Sequence, residues 1–71
     1  MEFIIVRVKD NATAYAAVLL DGVRNGTTGQ LITLGSAGWV NVSVDLPNAE
    51  PQDVNVTNTT ALHPMAIEIE T

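Results

Sequence analysis

Aliphatic and polar residues alternate with a period of two along much of this chain, and this alternation constrains its fold more than any other feature. Residues 40–45, 53–57 and 65–70 show the pattern most clearly. Successive side chains of a β-strand point to opposite faces, so each segment predicts a strand with one apolar and one solvated face. Gly, Pro, Asn and Asp recur between such segments, as is typical of turns. The pattern predicts an all-β protein.

Six strands are predicted, at residues 2–9, 14–20, 28–34, 39–46, 52–57 and 65–70. Between the third and the fourth, "GSAG" predicts a tight hairpin. Prolines 47 and 51 bracket a second turn. These elements predict one domain over residues 1–71, an antiparallel β-sandwich or small barrel of six to seven strands.

Two of the predicted strands are apolar on both faces. "AYAAVLL" is one of them, and "FIIVRV" is the other, with Ile4, Val6 and Val8 on one face and Phe3 and Ile5 on the other. A strand of this kind is covered by a second layer or by another chain. A domain of this length buries only about 60% of its unfolded surface, and the chain has no Cys for disulfides. We therefore expect self-association or docking on a larger assembly.

Charge is distributed unevenly along the chain. The formal net charge is −5, yet residues 1–24 are neutral overall and residues 25–71 contain five acidic side chains and no Lys or Arg. Such a molecule repels phosphate backbones, so we expect no nucleic-acid binding. A basic protein surface or a cation suits it better, although solubility alone also accounts for the charge.

The segment "LLDGVRNGTTG", residues 19–29, contains three glycines and invites several interpretations. A phosphate cradle needs a following helix, whereas strand-like "QLITL" follows here. A calcium loop needs several carboxylates, and Asp21 is the only one present. We predict a hairpin loop that carries Arg24, the last cation in the chain, at a rim available for contact.

Residues suited to catalysis or metal binding are scarce. The chain has one His, His63, and Ser36 and Ser43 have no evident base near them in the sequence. Without Cys, a structural zinc site is not expected. The exposed acids of the last three strands would hold a cation only weakly, and only if those strands were neighbours; they are Asp45, Asp53, Glu68 and Glu70. We predict a protein that is not an enzyme, with no catalytic residue, cofactor or metal site.

Trp39, the only Trp, begins a strand whose same-face neighbours Asn41, Ser43 and Asp45 are polar. Three interpretations stay open: a protein-interface anchor, a sugar-stacking platform, or a side chain tucked over the end of the sandwich. Anchoring is favoured over sugar binding because a lone aromatic ring without flanking carboxamides is a poor carbohydrate platform.

Five of the six Asn residues have Ser or Thr two positions later. This pattern is compatible with an N-glycosylated surface protein. Asn and Thr are also both common in turns and on solvated strand faces, and we favour this second explanation.

A family resemblance covers residues 15–70 and is carried by "AVLLDGVRNGTTGQLITLGSAGWVNVSV". An apolar strand ends in Asp-Gly, Gly-Thr follows, and two further glycines precede a valine-alternating strand. In this order and spacing the chain resembles a PEGA-type domain, a small β-sandwich module of bacteria and archaea. It departs from the family at Gly29, where Pro is usual, and at Trp39, where His or Tyr is frequent. The resemblance implies a fold and an extracytoplasmic or scaffold context, and no catalytic residue.

These observations predict a non-enzymatic structural or interaction module of a larger assembly, most concretely a virion decoration or cement protein. The alternatives are a PEGA-like cell-surface module that binds cell-wall or glycan material, and a small acidic inhibitor. The expected partner is a protein or a second copy of the chain, within a capsid or surface shell, without membrane insertion. The predicted contact residues are Phe3, Ile5, Arg7, Arg24 and Trp39.

The expected location follows from the beginning of the chain. A signal peptide begins with basic residues followed by a long apolar run. "MEFIIVRVKD" instead has an acidic residue at position 2 and only a short apolar run. This predicts synthesis in the cytoplasm without a signal peptide and incorporation into a virion. A cell-surface location is expected instead if the chain is a module of a longer protein.

Overall fold

Seven β-strands and no helix form the structure, a computed structural model that describes residues 1–71. The strands are β1 (Glu2–Val8), β2 (Ala17–Leu20), β3 (Val23–Thr27), β4 (Ile32–Leu34), β5 (Gly38–Val44), β6 (Gln52–Val56) and β7 (Met65–Ile69). The predicted all-β class is confirmed. No helix is long and apolar enough to cross a membrane.

The strands form two sheets that pack face to face. Sheet A has three strands in the order β4-β1-β7, and sheet B has four in the order β3-β2-β5-β6. All strand pairs are antiparallel except β1 and β7, which run parallel. The molecule is therefore a small, predominantly antiparallel sandwich in which β1, β2 and β5 are the central strands.

The core lies between the sheets and follows from the alternation in the sequence. Twelve apolar residues are buried there: Ile4, Val6, Val8, Ala16, Val18, Leu20, Ile32, Val42, Val44, Val56, Ile67 and Ile69. Every second residue of β1 points into this layer, as predicted. Phe3 and Ile5 point to the other side of sheet A and are half-buried.

Thr28 is buried although it is polar, and it joins two connections between the sheets. Its hydroxyl donates to the Ala14 carbonyl (2.8 Å) and accepts from the Ala16 N–H (3.1 Å). Its own N–H donates to the Ala16 carbonyl at 2.9 Å. These bonds hold residues 14–16 outside a strand, so β2 begins at Ala17 and not at residue 14 as predicted. The predicted third strand, 28–34, is reduced to β4, because these bonds hold Thr28 and because Gly29 has a φ of 77°.

Replacing Thr28 with Val is expected to lower the free energy of unfolding by about 1–3 kcal/mol, because a buried N–H and a carbonyl each lose a partner. Chemical denaturation monitored by circular dichroism measures the change. Thr57→Val, at an exposed position after β6, is the matched control and should change stability little. Equal effects of the two substitutions would contradict this role for Thr28.

The β2–β3 hairpin corrects the prediction for residues 19–29. Its turn is only Asp21-Gly22, with φ of 51° and 82°, as in a type I′ turn. Arg24 therefore lies in β3, at the edge of sheet B, and not in a long loop. At Gly26, φ is 77°, and a register shift against β2 marks a bulge.

The "GSAG" segment is not the predicted hairpin. It joins β4 in sheet A to β5 in sheet B, so it crosses between the two layers. A Gly-rich stretch of this length can form a hairpin within one sheet or a crossing between two sheets. The sequence pattern favoured the hairpin, which is the commoner of the two.

Candidate functional site

The outward side of sheet A contains three of the five predicted contact residues. Residues paired across neighbouring strands share a face, and the pairs here are Phe3 with Thr33, Ile5 with Ala66 and Arg7 with Glu68. These six residues are called the A face below. No helix or third sheet covers it.

Phe3 and Ile5 form the apolar centre of the A face. Both are half-buried within their own sheet, and their cross-strand neighbours Thr33 and Ala66 are small and exposed. The centre is therefore reachable from solvent. A contiguous apolar patch with a polar rim can mark a site of macromolecular contact, and Phe3 and Ile5 are the candidates for such a patch on this face.

Arg7 differs from the other two cationic side chains of the chain. Lys9 pairs with Glu70 and Arg24 pairs with Asp45, each at 2.9 Å. Arg7 has no carboxylate oxygen within 4.0 Å, although its strand neighbour is Glu68. It lines an open groove of about 510 Å³ whose other polar walls are Asp10, Asn11 and Glu68. Its guanidinium is free to bind an anionic group of a partner.

A hydrogen-bonded contact that the sequence did not predict lies beside Phe3. The Thr59 hydroxyl (2.7 Å) and the Thr59 N–H (2.8 Å) both donate to Glu2 Oε1. The Thr59 hydroxyl oxygen in turn accepts a hydrogen bond from the Phe3 N–H at 2.7 Å. These bonds tie the β6–β7 connection to the beginning of β1. They lower the pKa of Glu2 below its ordinary value of about 4.5. The A face is thereby bordered by a fixed segment.

This contact predicts a pH dependence of stability. Because the folded pKa of Glu2 is lowered, its contribution is complete above the unfolded value near 4.5 and is lost as the pH falls through the folded value. Glu2→Gln should lower the melting temperature at pH 7 and flatten its decline between pH 5 and pH 3. Asp10→Asn is the control, since an exposed Asn tolerates the positive φ of that position. A decline as steep as that of the wild type would contradict the role of Glu2.

The Lys9–Glu70 pair connects the ends of β1 and β7. The Glu70 carboxylate beside it raises the pKa of Lys9, and Lys9 in turn lowers the pKa of Glu70. Both side chains are half-exposed, so solvent and salt screen the pair. The pair therefore stabilises the two strand ends only weakly. Arg7 is the one cationic side chain without a paired carboxylate.

The outward side of sheet B carries the other two predicted contact residues. This B face consists of Leu19, Arg24, Trp39, Asn41, Ser43, Asp53 and Asn55. Arg24 reaches from β3 to Asp45, just beyond the end of β5, and both side chains are exposed. Such surface pairs contribute about 0–1 kcal/mol. Arg24 is therefore at a sheet edge, already paired within its own chain.

Trp39 is 73% exposed on the B face and is not tucked over the end of the sandwich. Strand register places Asn55 directly opposite it, and Asn41 with Asp53 form the next pair on the same face. The Asn41 side-chain amide donates to Asp53 Oδ1 at 3.0 Å, and the Asn41 N–H donates to Asp21 Oδ1 at 2.9 Å. Trp39 is the only aromatic residue of this face, but the carboxamides of Asn55 and Asn41 lie beside it, contrary to the expectation of an aromatic ring without flanking carboxamides.

The four exposed acids considered for weak cation binding do not form one row. Asp53 lies in sheet B and Asp45 directly follows its strand β5, whereas Glu68 lies in sheet A and Glu70 directly follows its strand β7. Two of the four are also paired with cations, and no three His, Asp or Glu groups converge as metal ligands do. The condition set for weak cation binding, that the last three strands are neighbours, is therefore not met, because β7 lies in the other sheet.

His63 lies in the β6–β7 connection, where its N–H donates to the Thr60 carbonyl at 3.1 Å. No hydrogen bond joins its ring to Ser36, Ser43 or a carboxylate. The structure therefore assembles no nucleophile and base from these residues.

Comparison with known proteins identifies no relative of this chain. The chain matches no protein-family model, and it has no significant match among curated proteins or solved structures. The PEGA-type resemblance of residues 15–70 stays a prediction.

Proposed function

We propose that this protein is a non-enzymatic interaction module that works within a larger assembly and docks through its A face. The observation that carries the proposal is the uncovered apolar centre of that face, Phe3 and Ile5, next to the unpaired Arg7. A virion decoration or cement protein is the most concrete form of such a module. Its small size and uncovered docking face suit repeated attachment to a shell.

Charge indicates what the docking partner presents. The A face has one free cation, Arg7, and one free anion, Glu68, although the chain as a whole carries −5. A partner surface with an apolar patch and a carboxylate near it complements Phe3, Ile5 and Arg7. A second copy of the chain or a shell subunit meets this description, and a nucleic acid does not.

The docking residues predict a specific loss of association. Ile5→Glu places a charge at the centre of the A face and is expected to abolish binding to shell particles, or self-association where the partner is a second copy. Sedimentation with purified shells and light scattering after size exclusion, over a range of concentrations, measure both. Val23→Glu is the control, because Val23 is 67% exposed on β3 and outside the A face.

A wild-type chain that remains a 7.5 kDa monomer at every concentration and binds no shell would contradict the proposal. Equal losses of association in Ile5→Glu and Val23→Glu would also contradict the proposal, because they would indicate docking through a surface other than the A face.

The small acidic inhibitor has less support. Its acidic side chains are divided between the two sheets, and two of them are neutralised by Arg24 and Lys9. A mimic of nucleic acid needs them on one face. A PEGA-like surface module remains the second candidate, and the surroundings of Trp39 favour it.

A further inference from the structure

A second binding site lies on the side of the sandwich opposite the A face. Trp39 presents its indole at the beginning of β5, with Asn55 of β6 directly across from it. Asn41 and Asp53 continue the same face along the strands. An exposed aromatic ring and several polar groups therefore converge on one patch of sheet B.

Several polar atoms of this patch have no partner within the protein. The side-chain nitrogen of Asn41 donates to Oδ1 of Asp53, and this bond uses only one of the two Asp53 oxygens. The Asn41 side-chain oxygen, the second Asp53 oxygen and the whole Asn55 amide make no hydrogen bond within the chain. Asp21 fixes the Asn41 backbone from the side. The donors and acceptors are thus held on strands and remain available to a ligand.

A shallow groove of about 210 Å³ extends the patch on the other side of Trp39. Its polar walls are Asp21, Ser36 and the backbone of Gly35 and Gly38, and its apolar walls are Leu20, Leu34, Ala37 and Val40. A Cβ at Gly35 or Gly38 would meet nothing within 4 Å, so there is open space at these two walls. Polar groups therefore lie on both sides of the aromatic surface.

We infer that this patch binds a neutral sugar ring of a glycan, with Trp39 as the stacking platform. One face of a pyranose is made of C–H groups that pack on an indole, and its rim of hydroxyls needs both donors and acceptors. Asn55 supplies both types, and Asp53 and Asp21 accept. Neither carboxylate has a cationic partner, so the patch repels anionic sugars such as uronic acids.

A protein partner fits this patch less well than a sugar. An aromatic anchor in a protein interface is fully desolvated in a pocket. Here the immediate neighbours of Trp39 on the B face are carboxamides and a carboxylate, and burying them under an apolar surface costs free energy. A ligand covered with hydroxyls satisfies them instead.

The test uses Trp39 itself, because it is the only Trp and so its fluorescence reports this site alone. The probes are hexasaccharides of β-1,4-linked glucose, N-acetylglucosamine and mannose, with oligogalacturonate as the anionic comparison. We expect a saturable fluorescence change with at least one neutral hexasaccharide and none with oligogalacturonate. Asn55→Ala should weaken that binding up to about tenfold, while Asn25→Ala, an exposed Asn on β3, should leave it unchanged.

Calorimetry with Trp39→Ala completes the test, because this variant should show no binding heat while its circular dichroism remains that of the wild type. The inference is overturned if no neutral hexasaccharide changes the fluorescence, if Asn55→Ala binds as tightly as the wild type, or if only a protein partner quenches Trp39. None of these outcomes bears on the A face, which the Ile5→Glu experiment tests separately.

Discussion

Ile4→Ala is expected to remove most or all of the chain's free energy of unfolding at 25 °C. Ile4 has no exposed surface and lies on β1, the central strand of sheet A. Truncating a fully buried Ile to Ala costs about 2–5 kcal/mol. A single core in a chain this short supplies only about 3–5 kcal/mol of net stability. The loss therefore removes most or all of the margin.

Its control is the next residue along the same strand. Ile5→Ala removes the same atoms from the A face, where the side chain is half-buried, and should leave a folded chain. Far-ultraviolet circular dichroism and urea denaturation at low protein concentration compare the two variants. If Ile5→Ala destabilised the isolated chain as much as Ile4→Ala does, the assignment of the two faces of β1 would be wrong.

Gly26→Ala is the second substitution with a large expected effect. At φ of 77° a side chain adds about 1–2 kcal/mol of strain. A Cβ at this position would also lie 2.9 Å from Cγ1 of Ile32, a buried core residue. Forcing that contact in a packed core costs about 1–3 kcal/mol more. The two effects together equal much of the stability of so small a domain.

Gly29 offers a matched control for Gly26. It has the same φ of 77°, yet a Cβ there would meet nothing within 4 Å. Gly29→Ala should therefore show the backbone strain without the clash, and the difference between the two variants measures the contact with Ile32. Denaturation of both proteins under the same conditions gives that difference. A difference near zero would mean that β3 does not approach the core as described.

Much of the fold was predictable because a period-two pattern is a local property. Met65, Ile67 and Ile69 point inward and Glu68 points outward, as predicted. β3 was missed since Val23–Thr27 has no apolar alternation and none of its residues is fully buried. Its place in the sheet comes from the two-residue Asp21-Gly22 turn and from pairing with β2.

The partners of each strand could not be predicted in the same way. β7 alternates like a member of the sheet that contains β5 and β6, but it crosses to sheet A and runs parallel to β1. Alternation determines which side chains point inward, and it contains no information about which sheet a strand joins. That choice depends on the path of the β6–β7 connection, which Thr59 and Glu2 hold in place.

The two candidate surfaces also differ in how far the sequence could predict them. Phe3 and Ile5 were recognisable as a second apolar row because both lie on one strand. The amides around Trp39 were not, since Asn55 reaches the ring only through the register of β5 with β6. Arg7 was selected from the sequence as a contact residue, but only the structure distinguishes it from the two paired cations.

Photo-crosslinking from the A face tests the proposed function most directly. A photoreactive phenylalanine analogue replaces Ile5 in one sample and Val23 in another, and each is irradiated in the assembled state, on shells or at high concentration. The proposal predicts crosslinks to a partner from position 5 and none from position 23. Crosslinks from position 23 alone, or from neither position in a sample that is demonstrably assembled, would contradict docking through the A face.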